Sequence, residues 1–284
     1  MKKNKSEVEI SFGYTPDPDD AFHYYALEHN KLSQAREFKM HFLKNHIQTL
    51  NEMALRNELD VTAISSVLYP QIRDKYVILA SGSSVGRGYG PVLGAKAGSG
   101  IQDLAGKKVA IPGIYTTGFF LTNYFYRDFI PVPMEFDEVM AAVLSGEVDA
   151  GVFIHEELMN YRVRGIEKIC CLGERWFEDT NLPLPVGLTV ARRALGMPVL
   201  KQLSGLLKDS MTYAMQYPDE AMQYANQYSC EAEMGIRDDF VHKFANNDTL
   251  SMPEDVRQGL CEVYHRAKMI GLLKEEFEPE IIYA

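Results

Sequence analysis

One arrangement of residues occurs twice in this 284-residue chain, and it fixes most of what the chain can fold into. Val8, Ile10 and Phe12 alternate with Glu7, Glu9 and Ser11, then turn through Gly13, Tyr14 and Thr15. That is the period-two pattern of a strand running into a glycine turn. Residues 108–117 repeat it, with apolar 109–111, the turn Pro112-Gly113, then Tyr115, Thr116 and Thr117. A helix is expected after each turn. The first opens at Asp17-Pro18-Asp19-Asp20, where Asp17 suits the N-cap, Pro18 the first helical position, and acids the first turn. The second is expected over about 118–128, crowded with Phe119, Phe120, Tyr124, Phe125 and Tyr126.

Each half also closes alike. Leu55-Arg56-Asn57-Glu58-Leu59-Asp60 leads into an apolar strand at 61–64 and delivers Ser65 and Ser66. Leu144-Ser145-Gly146-Glu147-Val148-Asp149 leads into 150–154 and delivers His155. Asn57 and Gly146 both end helices in the left-handed conformation. The joints keep step to the residue, so Ser66 and His155 are expected at equivalent strand ends.

Two α/β lobes of similar construction follow. Parallel sheets place ligands outside the carboxyl ends of their strands, which brings Thr15, Ser65, Thr116 and His155 to one cleft. Glycine-rich 81–90 before an extended 91–95, and Pro183-Leu184-Pro185-Val186-Gly187 before apolar 188–191, read as two crossings between lobes. Residues 93–188 are then an inserted second lobe, and 1–92 with 189–284 the first. Leu200, Leu203, Leu206, Leu207, Met211 and Ala214 keep helical spacing up to Pro218, and 219–228 and 253–272 read as further helices. The expected fold is that of a two-lobed type 2 periplasmic-binding protein, with a ligand cleft between the lobes.

His155 leads the candidate residues. It follows a wholly apolar strand and precedes Glu156 and Glu157, and a histidine at a cleft can act as general base near neutral pH. A hydrogen-bonded structural histidine would leave the same pattern. The other six, His23, His29, His41, His46, His242 and His265, suit surface or satisfied half-buried roles. Thr116 and Thr117 stand at a helix start whose free amides favour an anion, although an ordinary N-cap would also place a threonine there. No Gly-x-Ser-x-Gly elbow surrounds Ser65 or Ser66, so neither reads as a nucleophile. Gly86-Arg87-Gly88-Tyr89-Gly90 leads into Pro91 rather than a helix, so it reads as hinge backbone instead of a phosphate loop, with Arg87 a candidate for an anionic ligand. Asp17, Asp19 and Asp20 lack the remaining pattern of a cation loop, and helix capping accounts for the cluster.

An excess of ten acidic charges argues against a nucleic-acid-binding surface. No apolar run approaches the ~20 residues that span a bilayer, and none follows the basic N-terminus as a secretory signal requires. Cys170, Cys171, Cys230 and Cys261 fit neither a disulfide framework nor a zinc site. A cytoplasmic protein is expected. Periodicity does not set the oligomeric state and is compatible with a homodimer.

The chain resembles the 1,4-dihydroxy-6-naphthoate synthases of the futalosine route to menaquinone over roughly 10–215. The resemblance is carried by Asp74-Lys75-Tyr76, Gly86-Arg87-Gly88-Tyr89-Gly90-Pro91, Thr116-Thr117, Gly146-Glu147-Val148-Asp149-Ala150-Gly151, Ile154-His155-Glu156, Leu172-Gly173-Glu174 with Trp176, and Leu182-Pro183-Leu184-Pro185. It implies that His155 is the catalytic base, and that Ala63, Ile64, Ser65, Thr116 and Thr117 contact an anionic bicyclic substrate, cyclic dehypoxanthinylated futalosine. By the same resemblance, proton removal and C–C cleavage release the product as its ring aromatises, with no metal or organic cofactor.

One stretch departs from the family. Where the family usually reads Ser-Pro-Cys-Pro-Asn-Asp-Thr-Phe, this chain has Thr15-Pro16-Asp17-Pro18-Asp19-Asp20-Ala21-Phe22. Two neutral side chains have become acids beside the expected cleft, which costs affinity for an anion unless they are paired or turned away. A modified substrate or lost catalysis would each account for the change. Two further readings stand beside the lyase: chorismate dehydratase, a relative on the same fold, and a non-catalytic binding protein for a small organic ligand.

Overall fold

A computed structural model describes residues 8–155, 157–229 and 234–284. The first run holds β1 (Val8–Tyr14), α1 (Pro18–Glu28), β2 (Phe38–Lys44), α2 (Ile47–Leu55), β3 (Val61–Ser65), α3 (Tyr69–Ile72), β4 (Tyr76–Leu79) and β5 (Ser84–Gly86). The second holds β6 (Val92–Lys96), β7 (Lys108–Ile111), α4 (Thr117–Phe125), β8 (Ile130–Pro133), α5 (Phe136–Ser145), β9 (Ala150–Phe153), α6 (Glu157–Asn160), β10 (Ile166–Cys171) and α7 (Leu172–Thr180). The chain returns through β11 (Leu184–Arg192), α8 (Met197–Gln216), α9 (Pro218–Ala225), α10 (Met234–Phe244), α11 (Asn247–Leu250), α12 (Glu254–Met269) and β12 (Ile281–Ile282).

The strands form two sheets, ordered β12-β4-β11-β3-β1-β2, with β5 also on β11, and β10-β6-β9-β7-β8. The repeated sequence pattern becomes a repeated topology. In each sheet the opening strand lies parallel to the strand that closes the unit, with Phe12 opposite Val61 in one and Val109 opposite Ala150 in the other. Outside it lies a second parallel strand, β2 or β8. A strand next to a crossing runs antiparallel to the closing strand, β11 on β3 and β6 on β9. Asn57 and Gly146 both take positive φ, +58° and +82°, as the helix–strand joints require.

The return boundary differs from the expected one. Pro185 and Gly187 already pair with β5, and β11 continues through Arg192 in the larger sheet, so residue 188 lies inside a strand rather than at a crossing. Pro185 lies within this paired stretch, and the register shifts between it and Gly187. At the other crossing glycine is required by close approach: a Cβ on Gly86 would lie 1.9 Å from the Tyr89 carbonyl oxygen, and one on Gly173 2.1 Å from the Tyr89 carbonyl carbon. α4 spans Thr117–Phe125, shorter than expected, and the helical C-terminal third also holds α10 and α11, for which the sequence set no bounds. Cys171 is buried and Cys170 half-buried in β10, while Cys230 and Glu156 lie outside the described residues. No helix among the described residues is long and apolar enough to cross a membrane.

Candidate active site

The carboxyl ends of the two sheets face each other across a cavity with about 740 Å³ of space free of protein atoms, its opening to solvent included. Thr15, Asp17, Asp19 and Asp20 reach it from the β1–α1 joint, and Ala63, Ile64 and Ser65 from the end of β3. Thr116, Thr117 and Gly118 contribute the start of α4, and Ile154 and His155 follow β9. The convergence of Thr15, Ser65, Thr116 and His155 expected from the repeat is therefore present. Phe240 and Phe244 of α10 add an aromatic wall that sequence reasoning missed. Their i, i+4 spacing beside buried Val241 marks an inward helix face, although nothing local tells which cavity it meets.

Ser65 is fixed by Asn51 of α2, whose amide donates to the Ser65 hydroxyl at 3.0 Å and accepts from the Ser65 amide at 2.9 Å. The hydroxyl therefore acts as acceptor toward Asn51 and keeps its proton for a ligand oxygen. Thr116 is an N-cap: its hydroxyl accepts from the Phe119 amide at 3.2 Å and donates to the Gly113 carbonyl at 2.8 Å. Thr117 donates across the lobes to the Val186 carbonyl at 2.7 Å. Both threonine hydroxyls are thus engaged in holding the wall. What α4 offers a ligand is the first-turn amides of Thr117 and Gly118, ahead of the capped Phe119 amide.

Asp17 departs from the role its position suggested. It sits at the N-cap of α1 with extended backbone and Pro18 behind it, yet its side chain makes no capping bond. Instead Oδ2 pairs with Nδ1 of His155, from the other lobe, and Oδ1 accepts from the Thr15 hydroxyl at 2.7 Å. His155 takes φ +56°, uncommon for a residue with a Cβ, and its ring packs 4.5 Å from that of Phe136. Its Nε2 is buried and has no hydrogen-bond partner among the described residues.

Burial alone would push His155 toward the neutral form, but the Asp17 carboxylate, followed by Asp20 and Glu157, outweighs it and raises the pKa above the ordinary value. Burial would likewise raise Asp17, and contact with His155 outweighs it and holds the carboxyl ionised. Asp19 and Asp20 go the other way. Burial, then repulsion from Asp17, raises Asp19 strongly and Asp20 to about 7. The geometry at Thr15 agrees. Its single hydroxyl lies 2.7 Å from Asp17 Oδ1 and 2.5 Å from Asp20 Oδ2, so one of these contacts needs a proton on a carboxyl. The extra acids therefore burden the cleft with less charge than their count suggests: one is paired and another carries a proton.

Arg87 is not at the cleft. Its guanidinium grips Asp248 at 2.8 and 2.9 Å and Asp255 at 2.7 Å, beside the first crossing. A guanidinium already matched by two carboxylates is not free to receive an anion. No lysine or arginine among the described residues lines the cavity. Of the other histidines, His23 is buried in bonding distance of the Leu207 carbonyl, its pKa lowered to about 4 by burial. His46 packs with its ring 5.0 Å from that of Phe136, tilted by 55°, and Phe136 also packs on His155.

A family model described as menaquinone biosynthesis matches residues 10–269. The chain is 34% identical over 263 residues to the 1,4-dihydroxy-6-naphtoate synthase of Thermus thermophilus, covering 93% of this chain and 95% of that one. A protein of the same name from Streptomyces coelicolor is 32% identical over 270 residues, covering 93% and 94%. Among solved structures, a protein of Archaeoglobus fulgidus matches with a TM-score of 0.89 at 39% identity, over 95% of this chain and 100% of that one. An alkanesulfonate-binding protein of Xanthomonas axonopodis, at 13% identity and a TM-score of 0.75 over 98% and 99%, shares the two-lobed fold. The periplasmic-binding-protein architecture expected from the repeat is the one observed. With this fold, and with relatives matched over nearly their whole length, the chain belongs to the menaquinone biosynthesis family that includes the 1,4-dihydroxy-6-naphtoate synthases.

Proposed function

We propose that this chain is a carbon–carbon lyase that converts cyclic dehypoxanthinylated futalosine to 1,4-dihydroxy-6-naphthoate, with Nε2 of His155 as general base. The observation that carries this reading is the state of the ring: Nδ1 is held, while Nε2 is buried at the cleft without a partner among the described residues. In the neutral ring, a lone pair on a buried Nε2 facing the cleft is what proton abstraction from a carbon acid requires. Aromatisation of the bicyclic product supplies driving force, so the protein need only orient the substrate, accept the proton and exclude water. Ser65 and the first-turn amides of α4 are the donors available to substrate oxygens, its carboxylate among them. Phe240 and Phe244 offer ring faces to the bicycle.

A specific observation favours a second reading. The cleft lacks a lysine or arginine among its described lining residues, and it carries Asp17 and Asp19 where the family pattern is neutral. A substrate variant richer in hydrogen-bond donors would suit these acids. Incubation of purified protein with cyclic dehypoxanthinylated futalosine, followed by chromatography, tests both. Naphthoate from wild type but not from His155→Ala supports the lyase and its base, with an expected loss of at least ~10²-fold in kcat. Equal product from both overturns the base. Binding without product from either points to the second reading or to a non-catalytic binding protein.

A further inference from the structure

We propose that Asp17, supplied by the first lobe, is a positioning residue for His155 in the second: its carboxylate holds the Nδ1–H and turns the free Nε2 lone pair into the cleft, so that the base is complete only where the lobes meet. The proposal rests on the reading of His155 as the base and deepens it.

Three observations carry it. Asp17 occupies a helix N-cap, where a carboxylate ordinarily accepts a first-turn amide, and it makes no such bond. Its two oxygens are used instead on Nδ1 of His155 and on the Thr15 hydroxyl at 2.7 Å. Neutral imidazole has one N–H and one lone pair, so an acceptor fixed at Nδ1 leaves the lone pair on Nε2. That atom is the one buried without a partner among the described residues. Finally, the two residues come from different lobes, Asp17 from the turn after β1 and His155 from the end of β9, so the contact spans the cleft itself.

Other charged groups act on the ring besides Asp17, which pairs with it directly. Asp20 at the start of α1 and Glu157 at the start of α6 favour the imidazolium from a distance. Asp19 lines the same wall, and beyond Phe136 His46 lies 3.5 Å from Glu135. Cysteine stands at this position in the family pattern, so a carboxylate here is a feature of this chain, and Asp17→Cys is a replacement that the fold family accommodates.

The test is imidazole nitrogen NMR on histidine-labelled protein, with the His155 signal assigned by His155→Gln. Neutral wild-type His155 should be the Nδ1–H tautomer and should titrate above the ordinary value of about 6.5. Asp17→Asn and Asp17→Cys should titrate lower, and Asp17→Cys should lose the tautomer preference. In turnover, both variants should lose about 10²-fold in kcat with KM within about threefold of wild type, and the acid limb of the rate profile should move to lower pH. An Nε2–H tautomer in wild type overturns the proposal without recourse to any variant. An unchanged titration with an unchanged acid limb in both variants overturns it as well. A fixed Nδ1–H tautomer in a wild type that forms no naphthoate sustains the pair and rejects the assigned reaction instead.

Discussion

The three aspartates at the β1–α1 joint have the same side chain and nearly the same address, yet they differ in protonation because they differ in partner. Asp17 pairs with the His155 ring from the other lobe, whereas Asp19 and Asp20 are pushed up first by burial and then by repulsion from Asp17. Asp20 offers a clean test of sign. Its pKa is raised from 3.8 unfolded to about 7 folded, so the folded protein holds the proton more tightly. The stability this contributes is full below about pH 3.8 and is lost as pH rises through 7. Asp20→Asn keeps an acceptor for the Thr15 amide but has nothing to ionise. Denaturant titrations should therefore find the variant equal to wild type near pH 4 and more stable at pH 8, by at least about 1 kcal/mol. Parallel stability curves across that range would contradict the assignment. From sequence, the acids were legible as a cluster and as a departure from the family. Their roles were not, because a capping aspartate and a cross-cleft aspartate leave the same letter before a proline.

At the scale of elements, the repeated strand–turn–helix and helix–turn–strand units were legible because period-two alternation, Asn57 and Gly146 act within a few residues of themselves. The crossings were legible only in part. Pro183–Gly187 carries turn chemistry, yet β5 pairs with it, a long-range contact that local composition does not encode. Arg87 was misread for the same reason. Its partners Asp248 and Asp255 lie 161 and 168 residues away, at α11 and the start of α12. The structure makes it a brace between the first crossing and the C-terminal helices. Arg87→Gln should lower stability by about 1 kcal/mol, since the pair is bidentate but half-exposed, and should leave kcat/KM within about threefold of wild type. A loss of tenfold or more in kcat/KM, with the melting curve unchanged, would return Arg87 to the list of ligand contacts.

At the scale of the whole molecule, the fold brings residues from two similar lobes to one cavity. The first lobe supplies Ser65 and Asp17, the second His155 and the amides of α4, and the C-terminal α10 covers them with Phe240 and Phe244. Thr117 to Val186 and the Tyr115 amide to Gln48, at 3.2 Å, tie the lobes together around the cavity. The most direct test is a crystal structure of His155→Ala with cyclic dehypoxanthinylated futalosine. The account predicts the substrate between the lobes, its carboxylate near the first turn of α4 and its acidic C–H facing the space the imidazole leaves. Substrate bound elsewhere, or in the cleft with that C–H turned toward the aromatic wall of α10, would contradict it.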